Sequence, residues 1–322
     1  MNGVVADYPM MSPRPAADDH RGGPQPTAIW HQPVLAASAI EWLRPRPGSL
    51  IVDGTLGTGG HSLAILPQIL PDGRLIAVDR DPDALAIATQ RLTEFLPQVT
   101  FVRDNYRNLP GILAGLGLLR VDGILLDLGI SSLQVDQPER GFSFSKEGPL
   151  DMRMDPDQPL SAETLIKTYS VSALTELLGT LGEERYARRI AERIVRERRL
   201  RPITATTHLA RVVAEAVPPR ARHGRLHPAT RTFQALRLAV NDELGSLAAF
   251  LDHVQALVRP GGRVVILSYQ SLDDRLVKQA FIQGRADGSW TLLTKKPIRP
   301  AAEEIARNPR ARSAKLRAVE RA

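Results

Sequence analysis

Three aspartates each close an apolar run: Leu50-Ile-Val-Asp53, Gly73-Arg-Leu-Ile-Ala-Val-Asp79 and Val121-Asp-Gly-Ile-Leu-Leu-Asp127. The first run opens into a glycine-dense stretch, Gly54-Thr-Leu-Gly57-Thr-Gly59-Gly60-His61-Ser62, after which Leu63-Ala-Ile-Leu66 begins a helix. Strand, glycine loop and helix in that order form the first crossover of a nucleotide-binding α/β sheet. Glycine there lets a ligand approach main-chain N–H groups with no Cβ in the way. Asp79 stands 19 residues beyond Gly60, where such sheets hold a ribose. Carboxylates grouped at strand ends repel an anionic pyrophosphate and attract a cation. S-adenosylmethionine, which carries a sulfonium and an ammonium, matches that field, and a nicotinamide dinucleotide matches it less well.

On this reading the loop amides of Gly59 and Gly60 approach the methionine portion of the cofactor. Asp79 accepts hydrogen bonds from both ribose hydroxyls, and Tyr106 offers an apolar face to the adenine. Each aspartate taken singly also reads as a helix cap or a surface turn; the three together with the glycine loop favour the cofactor. His61 has two open readings, a catalytic base and a helix-start residue bonding locally.

The elements that must position these groups follow from the chain order. A helix through Trp42-Leu43 is ended by Pro45 and Pro47. Asp81-Pro82 supplies an N-cap and a first-turn proline for the helix after the second strand, and Val99-Thr-Phe-Val102 is a third strand. This β-α alternation implies a parallel sheet. It breaks after Asp127: residues from about 133 to 225 contain no convincing strand and read as an all-helical insertion. A helix over 183–199 carries Ala187, Ile190, Ala191, Ile194 and Val195 at helical spacing, with Arg185, Arg188, Arg189, Arg193, Arg196 and Arg198 on its other faces. One further helix spans 231–258, followed by a strand at Arg263-Val-Val-Ile-Leu-Ser268, a helix over 272–283 and a strand at Trp290–Thr294.

The 322 residues allow a large core and two domains. No apolar run approaches the length of a membrane span, so no membrane partner is expected. Residues 1–27, rich in Pro, Ala, Asp and Gly, read as a disordered tail rather than a secretory signal. The formal net charge of +7 and pI near 10.0 suit a polyanionic partner. With no cysteine there is no disulfide, thiolate metal site or cysteine nucleophile, and the expected compartment is the cytoplasm.

Several longer segments resemble the bacterial MraW/RsmH family of small-subunit rRNA cytosine-N4 methyltransferases. They are His31-Gln-Pro-Val-Leu35, Asp53–Ser62, Leu125-Leu-Asp-Leu-Gly-Ile-Ser-Ser132, Arg140-Gly-Phe-Ser-Phe144, Pro149-Leu-Asp-Met-Arg-Met154, His227–Arg237 and Asn308–Arg317. The resemblance implies a class I S-adenosylmethionine-dependent methyltransferase fold, Rossmann-like with a mostly parallel sheet and an inserted all-helical domain. Its sheet domain would comprise 28–133 and 226–322, and its insert, a domain for the RNA substrate, 134–225. It implies N4 methylation of a decoding-centre (P-site) cytidine of 16S rRNA in the small ribosomal subunit, with no metal. The family's cofactor contacts fall on Gly59, Gly60, His61, Asp79, Tyr106, Asp127 and Gln134, so the resemblance adds His61 and Gln134 to the residues found by spacing.

Methylating an exocyclic amine needs an acceptor for an amino proton, and Asp127 at the end of the fourth strand is the candidate, unless its carboxylate serves the cofactor instead. Ser131, Ser132, Asp151 and Arg153 are further candidates for holding the base. Carbon-5 methylation through a cysteine adduct is excluded by composition. RNA phosphates have candidate partners in the 185–199 helix and in 308–321. The family pattern Ser-Phe-His-Ser-Leu-Glu-Asp-Arg appears here as Ser268-Tyr269-Gln270-Ser-Leu-Asp273-Asp-Arg275, which removes an imidazole at Gln270. That departure motivates one alternative, a non-catalytic RNA-binding or assembly factor on the same fold; a nicotinamide-dependent dehydrogenase is another. The oligomeric state, monomer or homodimer, is open.

Overall fold

A computed structural model describes residues 32–322 except His223 and Arg225. The expected tail over 1–27, and Trp30 and His31, lie outside the described residues. The chain forms two compact units: the described residues up to Gly129 with Leu247–Ala322, and Ile130–Ser246.

The first unit is built on a seven-stranded sheet: β1 (Leu50–Asp53), β2 (Arg74–Asp79), β3 (Val99–Arg103), β4 (Val121–Asp127), β5 (Val258–Ser268), β6 (Trp290–Leu292) and β7 (Lys315–Arg321). The spatial order is β3-β2-β1-β4-β5-β7-β6. The first five strands pair in parallel, and β7 runs antiparallel between β5 and β6. Every residue of β1 is buried, as a parallel strand covered on both faces must be. Alternation sorts side chains between the faces. Val52, Ile76, Val78, Ile124, Leu126, Val264 and Ile266 meet Leu109, Ile112, Phe250, Val254 and Phe281 on one side. On the other, Ile51, Leu75, Ala77, Leu125, Val265 and Leu267 meet Ala39, Leu43, Ile65, Leu66 and Ala88.

β7 draws the last part of the C-terminal segment 308–321 into the sheet. Its Leu316, Ala318 and Val319 are buried in the sheet, and two of its cations are spent inside the unit. Asp274, in the first turn of helix Ser271–Ala286, accepts hydrogen bonds from Arg317 Nε at 2.7 Å and Lys315 Nζ at 3.0 Å. Burial by itself would raise the Asp274 carboxyl, but the two cations hold it below its ordinary value.

The second unit is helical. Helix Ala187–Leu200 buries Ala187, Ile190, Ala191, Ile194 and Val195, the five positions that its spacing predicts. These pack with Leu165, Leu174, Leu178, Leu209, Val212, Phe233, Leu236 and Val240 in one core. The unit extends to Ser246 rather than 225, because helix Thr230–Asn241 places Phe233, Leu236 and Val240 in that core. Its start lies at Ile130 rather than 134, and Ile130 packs on the same core. The single helix expected over 231–258 is two helices, Thr230–Asn241 and Glu243–Leu257, separated by Asp242 in the left-handed region at φ 44°. Beside that break Arg237 and Glu243 form a buried bidentate pair at 2.7 and 3.0 Å. Among the described residues, no helix is long and apolar enough to cross a membrane.

Replacing Asp274 with Asn leaves Lys315 and Arg317 without a counter-charge, and unfolding free energy at neutral pH is expected to fall by about 2–3 kcal/mol. A carboxyl depressed in the folded state stabilises above its unfolded pKa and loses that contribution as pH falls through the folded value. The gap between the two proteins in urea unfolding should therefore close as pH drops below about 4.

Candidate active site

The carboxyl ends of β1 to β4 meet where strand order reverses between β1 and β4, the crevice at which open α/β sheets bind ligands. From β1 the chain turns through Gly57 (φ 51°) and Gly59 (φ 80°), backbone conformations that disfavour a Cβ, into helix Gly60–Ile69. Two carboxylates hold this turn in shape. Asp53, 1% exposed, accepts from Ser62 Oγ at 2.7 Å and from the Thr55 amide at 3.2 Å. Asp79 accepts from the Gly57 amide at 2.7 Å and the Asp81 amide at 2.9 Å. The Asp127 amide donates to Thr55 Oγ1 at 2.6 Å, tying the end of β4 to the same loop.

These bonds alter two expectations. Asp53 does not face a ligand as the third carboxylate of the crevice; it lies beneath the loop with both oxygens engaged. The Gly59 amide donates to Leu56 O at 2.8 Å, so the free donors lie one step further along. They are the first-turn amides of Gly60, His61 and Ser62, which by helix geometry have no intrahelical acceptor. At a ten-residue helix those donors, with the helix dipole, suit a carboxylate.

His61 is 5% exposed, and neither ring nitrogen has a hydrogen-bond partner among the described residues. Its Nε2 lies 3.4 Å from Asp127 Oδ2, a charge contact rather than a directed bond. Asp127 Oδ1 accepts from the Tyr269 hydroxyl at 2.8 Å. Tyr106, at the end of β3, is buried and meets Phe250 edge to face at 5.9 Å between centroids. Gln134 belongs to the helical unit, where it completes a capping box with Ser131: Ser131 Oγ accepts from the Gln134 amide and Gln134 Oε1 accepts from the Ser131 amide. Its assignment to the cofactor rests on the resemblance alone. Asp151 and Arg153 form a bidentate pair at 2.9 and 2.7 Å, and Arg153 also donates to Pro156 O and Gln158 O, so both are occupied in bracing their own loop.

Burial dominates the titration of the site. It raises the Asp53 carboxyl, and raises Asp79 to about 6 against the pull of the two amides it accepts. For His61 burial acts downward, but the contact with Asp127 and the charges of Asp127 and Asp53 outweigh it, and the imidazole is raised. Spacing did not single out Tyr269, Thr55 or Ser62. The signal for Tyr269 was its place directly after the fifth strand, where the strand-end rule applies as it does to Asp127.

The donor set fits S-adenosylmethionine. First-turn amides suit its carboxylate, Asp79 keeps unused lone pairs that a ribose diol could fill, and Tyr106 offers a ring. The imidazole of His61, with no hydrogen-bond partner among the described residues, leaves polar capacity beside Asp127 that a ligand can use.

Residues 28–322 match the MraW methylase family. The chain is 47% identical to the ribosomal RNA small subunit methyltransferase H of Dehalococcoides mccartyi, covering 90% of this chain and 86% of that protein. It is 46% identical to the protein of the same name from Mycolicibacterium smegmatis, covering 90% and 84%. This chain therefore belongs to the MraW methylase family, with a class I methyltransferase fold and S-adenosylmethionine as its methyl donor.

Proposed function

We propose that this protein methylates the N4 amino group of a decoding-centre cytidine of 16S rRNA in the small ribosomal subunit. The observation that carries the reading is the Asp127 carboxylate at the end of β4, oriented by Tyr269 and left with one oxygen toward His61, in a chain akin to rRNA small subunit methyltransferases. A dehydrogenase reading has no support from these relatives.

The bound cofactor supplies a methyl group on a positively charged sulfur. The amides of Gly60 and His61 would hold its carboxylate, Asp79 would accept from its ribose hydroxyls, and Tyr106 would offer its ring to the adenine. The exocyclic nitrogen of cytosine is a weak nucleophile, because its lone pair is delocalised into the ring. Asp127 assists by accepting the amino proton as the nitrogen gains its methyl group. Burial beneath the loop keeps Asp53 from that role.

For the RNA, helix Ala187–Leu200 supplies a stripe opposite its buried face. Arg189, Arg196 and Arg199 are exposed there, and no carboxylate pairs with them among the described residues. Positions 189 to 199 cover about 15 Å along the helix, room for contacts to successive phosphates. Arg188 and Arg193 are spent on Glu192 and Glu215, at 2.9 and 2.7 Å.

The decisive experiment incubates the protein with unmodified small subunits and labelled cofactor, followed by nucleoside mass spectrometry. N4-methylcytidine is expected, and its absence while the cofactor binds overturns the reading. Cofactor affinity should weaken as pH falls through about 6, since the Asp79 carboxyl then protonates and loses acceptor capacity. Calorimetry on Asp79→Asn should show weaker binding with that pH dependence gone. Replacing Arg189, Arg196 and Arg199 together with Gln should reduce the slope of log affinity for RNA against log salt by about 2. An unchanged slope removes this helix from the interface.

A further inference from the structure

Tyr269 lies where the chain leaves β5, next to the end of β4. The Leu128 amide donates to Leu267 O at 3.0 Å, which holds the two strand ends together. Gly129 comes close enough that a Cβ there would lie 3.6 Å from the tyrosine ring. The phenol reaches Asp127 Oδ1 at 2.8 Å, a charge-assisted bond that fixes the rotation of the carboxylate. Its partner oxygen, Oδ2, is thereby aimed at His61 Nε2, 3.4 Å away. The Asp127 side chain stays 26% exposed, so the carboxylate communicates with the crevice.

We propose that Tyr269 is a positioning residue for methyl transfer: its hydroxyl occupies Asp127 Oδ1 and so reserves Oδ2 as the oxygen that takes the amino proton. The proposal rests on Asp127 being the proton acceptor. In the step concerned, the amino nitrogen forms a bond to the methyl carbon, and the carbon–sulfur bond breaks with its electron pair going to sulfur. The surplus proton passes from nitrogen to Asp127 Oδ2, turning the carboxylate into a carboxylic acid that later discharges to solvent.

Burial and the charge of Asp127 raise Tyr269 well above its ordinary value, with Glu304 adding to the effect, so the phenol remains a donor across the working range. The charged and titratable groups facing this pair are His61 from helix Gly60–Ile69, Asp53 from β1 and Glu304 from helix Ala302–Arg307. Glu304 accepts the Leu35 amide at 2.7 Å and so has a structural bond of its own. Tyr269→Phe removes the hydroxyl and keeps the ring.

The test compares Tyr269→Phe and Asp127→Asn with the unaltered protein. Without cofactor, the His61 ring proton is followed by NMR through a pH titration. Loss of the phenol leaves more of the carboxylate's charge to the imidazole, and the His61 midpoint is expected to rise by about half a unit. With saturating cofactor, single-turnover transfer by Tyr269→Phe should fall about 10-fold, with its acid limb moved to higher pH. Cofactor affinity should stay within about 3-fold, since the phenol acts on the proton acceptor. An unmoved His61 midpoint, or an undiminished rate, in Tyr269→Phe while Asp127→Asn is strongly impaired overturns the positioning role. Undiminished transfer by Asp127→Asn instead overturns the assignment of Asp127, and the positioning role with it.

Discussion

The bend between β1 and its helix depends on carboxylates that accept its donors from below. Asp53 takes the Ser62 hydroxyl and the Thr55 amide, and Asp79 takes the Gly57 amide, so a loop of small residues acquires a single shape without side-chain bulk of its own. Glycine makes the turn sterically possible, and the aspartates select it from the many turns that glycine permits. The Thr55 hydroxyl then receives the Asp127 amide, which sets the end of β4 by the same loop. The surfaces proposed for the cofactor, the first-turn amides and the outer lone pairs of Asp79, are what this bonding leaves over.

Around Asp127 the fold places groups that compete for one carboxylate. Tyr269 donates to one oxygen, and His61, buried with no directed partner among the described residues, presses on the other. Burial would strip the imidazole of its proton in isolation; the neighbouring carboxylates reverse that tendency. A buried histidine in this position is costly unless a ligand or a charge completes it, and the site supplies the charge.

The helical unit shows how motifs shared with a family divide between chemistry and architecture. Gly141 (φ 72°) leaves no room for a Cβ, which would lie 2.1 Å from Pro149 O. Phe144 packs between His227, tilted at 36°, and Phe233, met edge to face, with ring centroids 4.8 Å apart in each pair, joining two of the shared segments. Met152 sits in the left-handed region at φ 61°, held there as the Asn241 side chain donates to Met152 O and accepts from the Met154 amide. Asp151 and Arg153 brace the same loop. These residues preserve a shape, and their motifs in sequence give no hint of which ones touch substrate.

Much of the fold was legible because its signals are local. Strand alternation, the glycine loop, the Asp81-Pro82 helix start and the apolar stripe of helix Ala187–Leu200 depend on residues within a few positions of one another. The sequence by itself determined the parallel half of the sheet and put Asp79 and Asp127 at strand ends. Tertiary structure decided that Asp53 is consumed beneath the loop, that Lys315–Arg321 is a strand between β5 and β6, and that Thr230–Asn241 belongs with the helices. It also brought Tyr269 to Asp127 across 142 residues. Local periodicity records which face of an element is apolar. It does not record which distant element covers that face, or which donor reaches a given carboxylate, because those depend on pairings that only the folded chain creates.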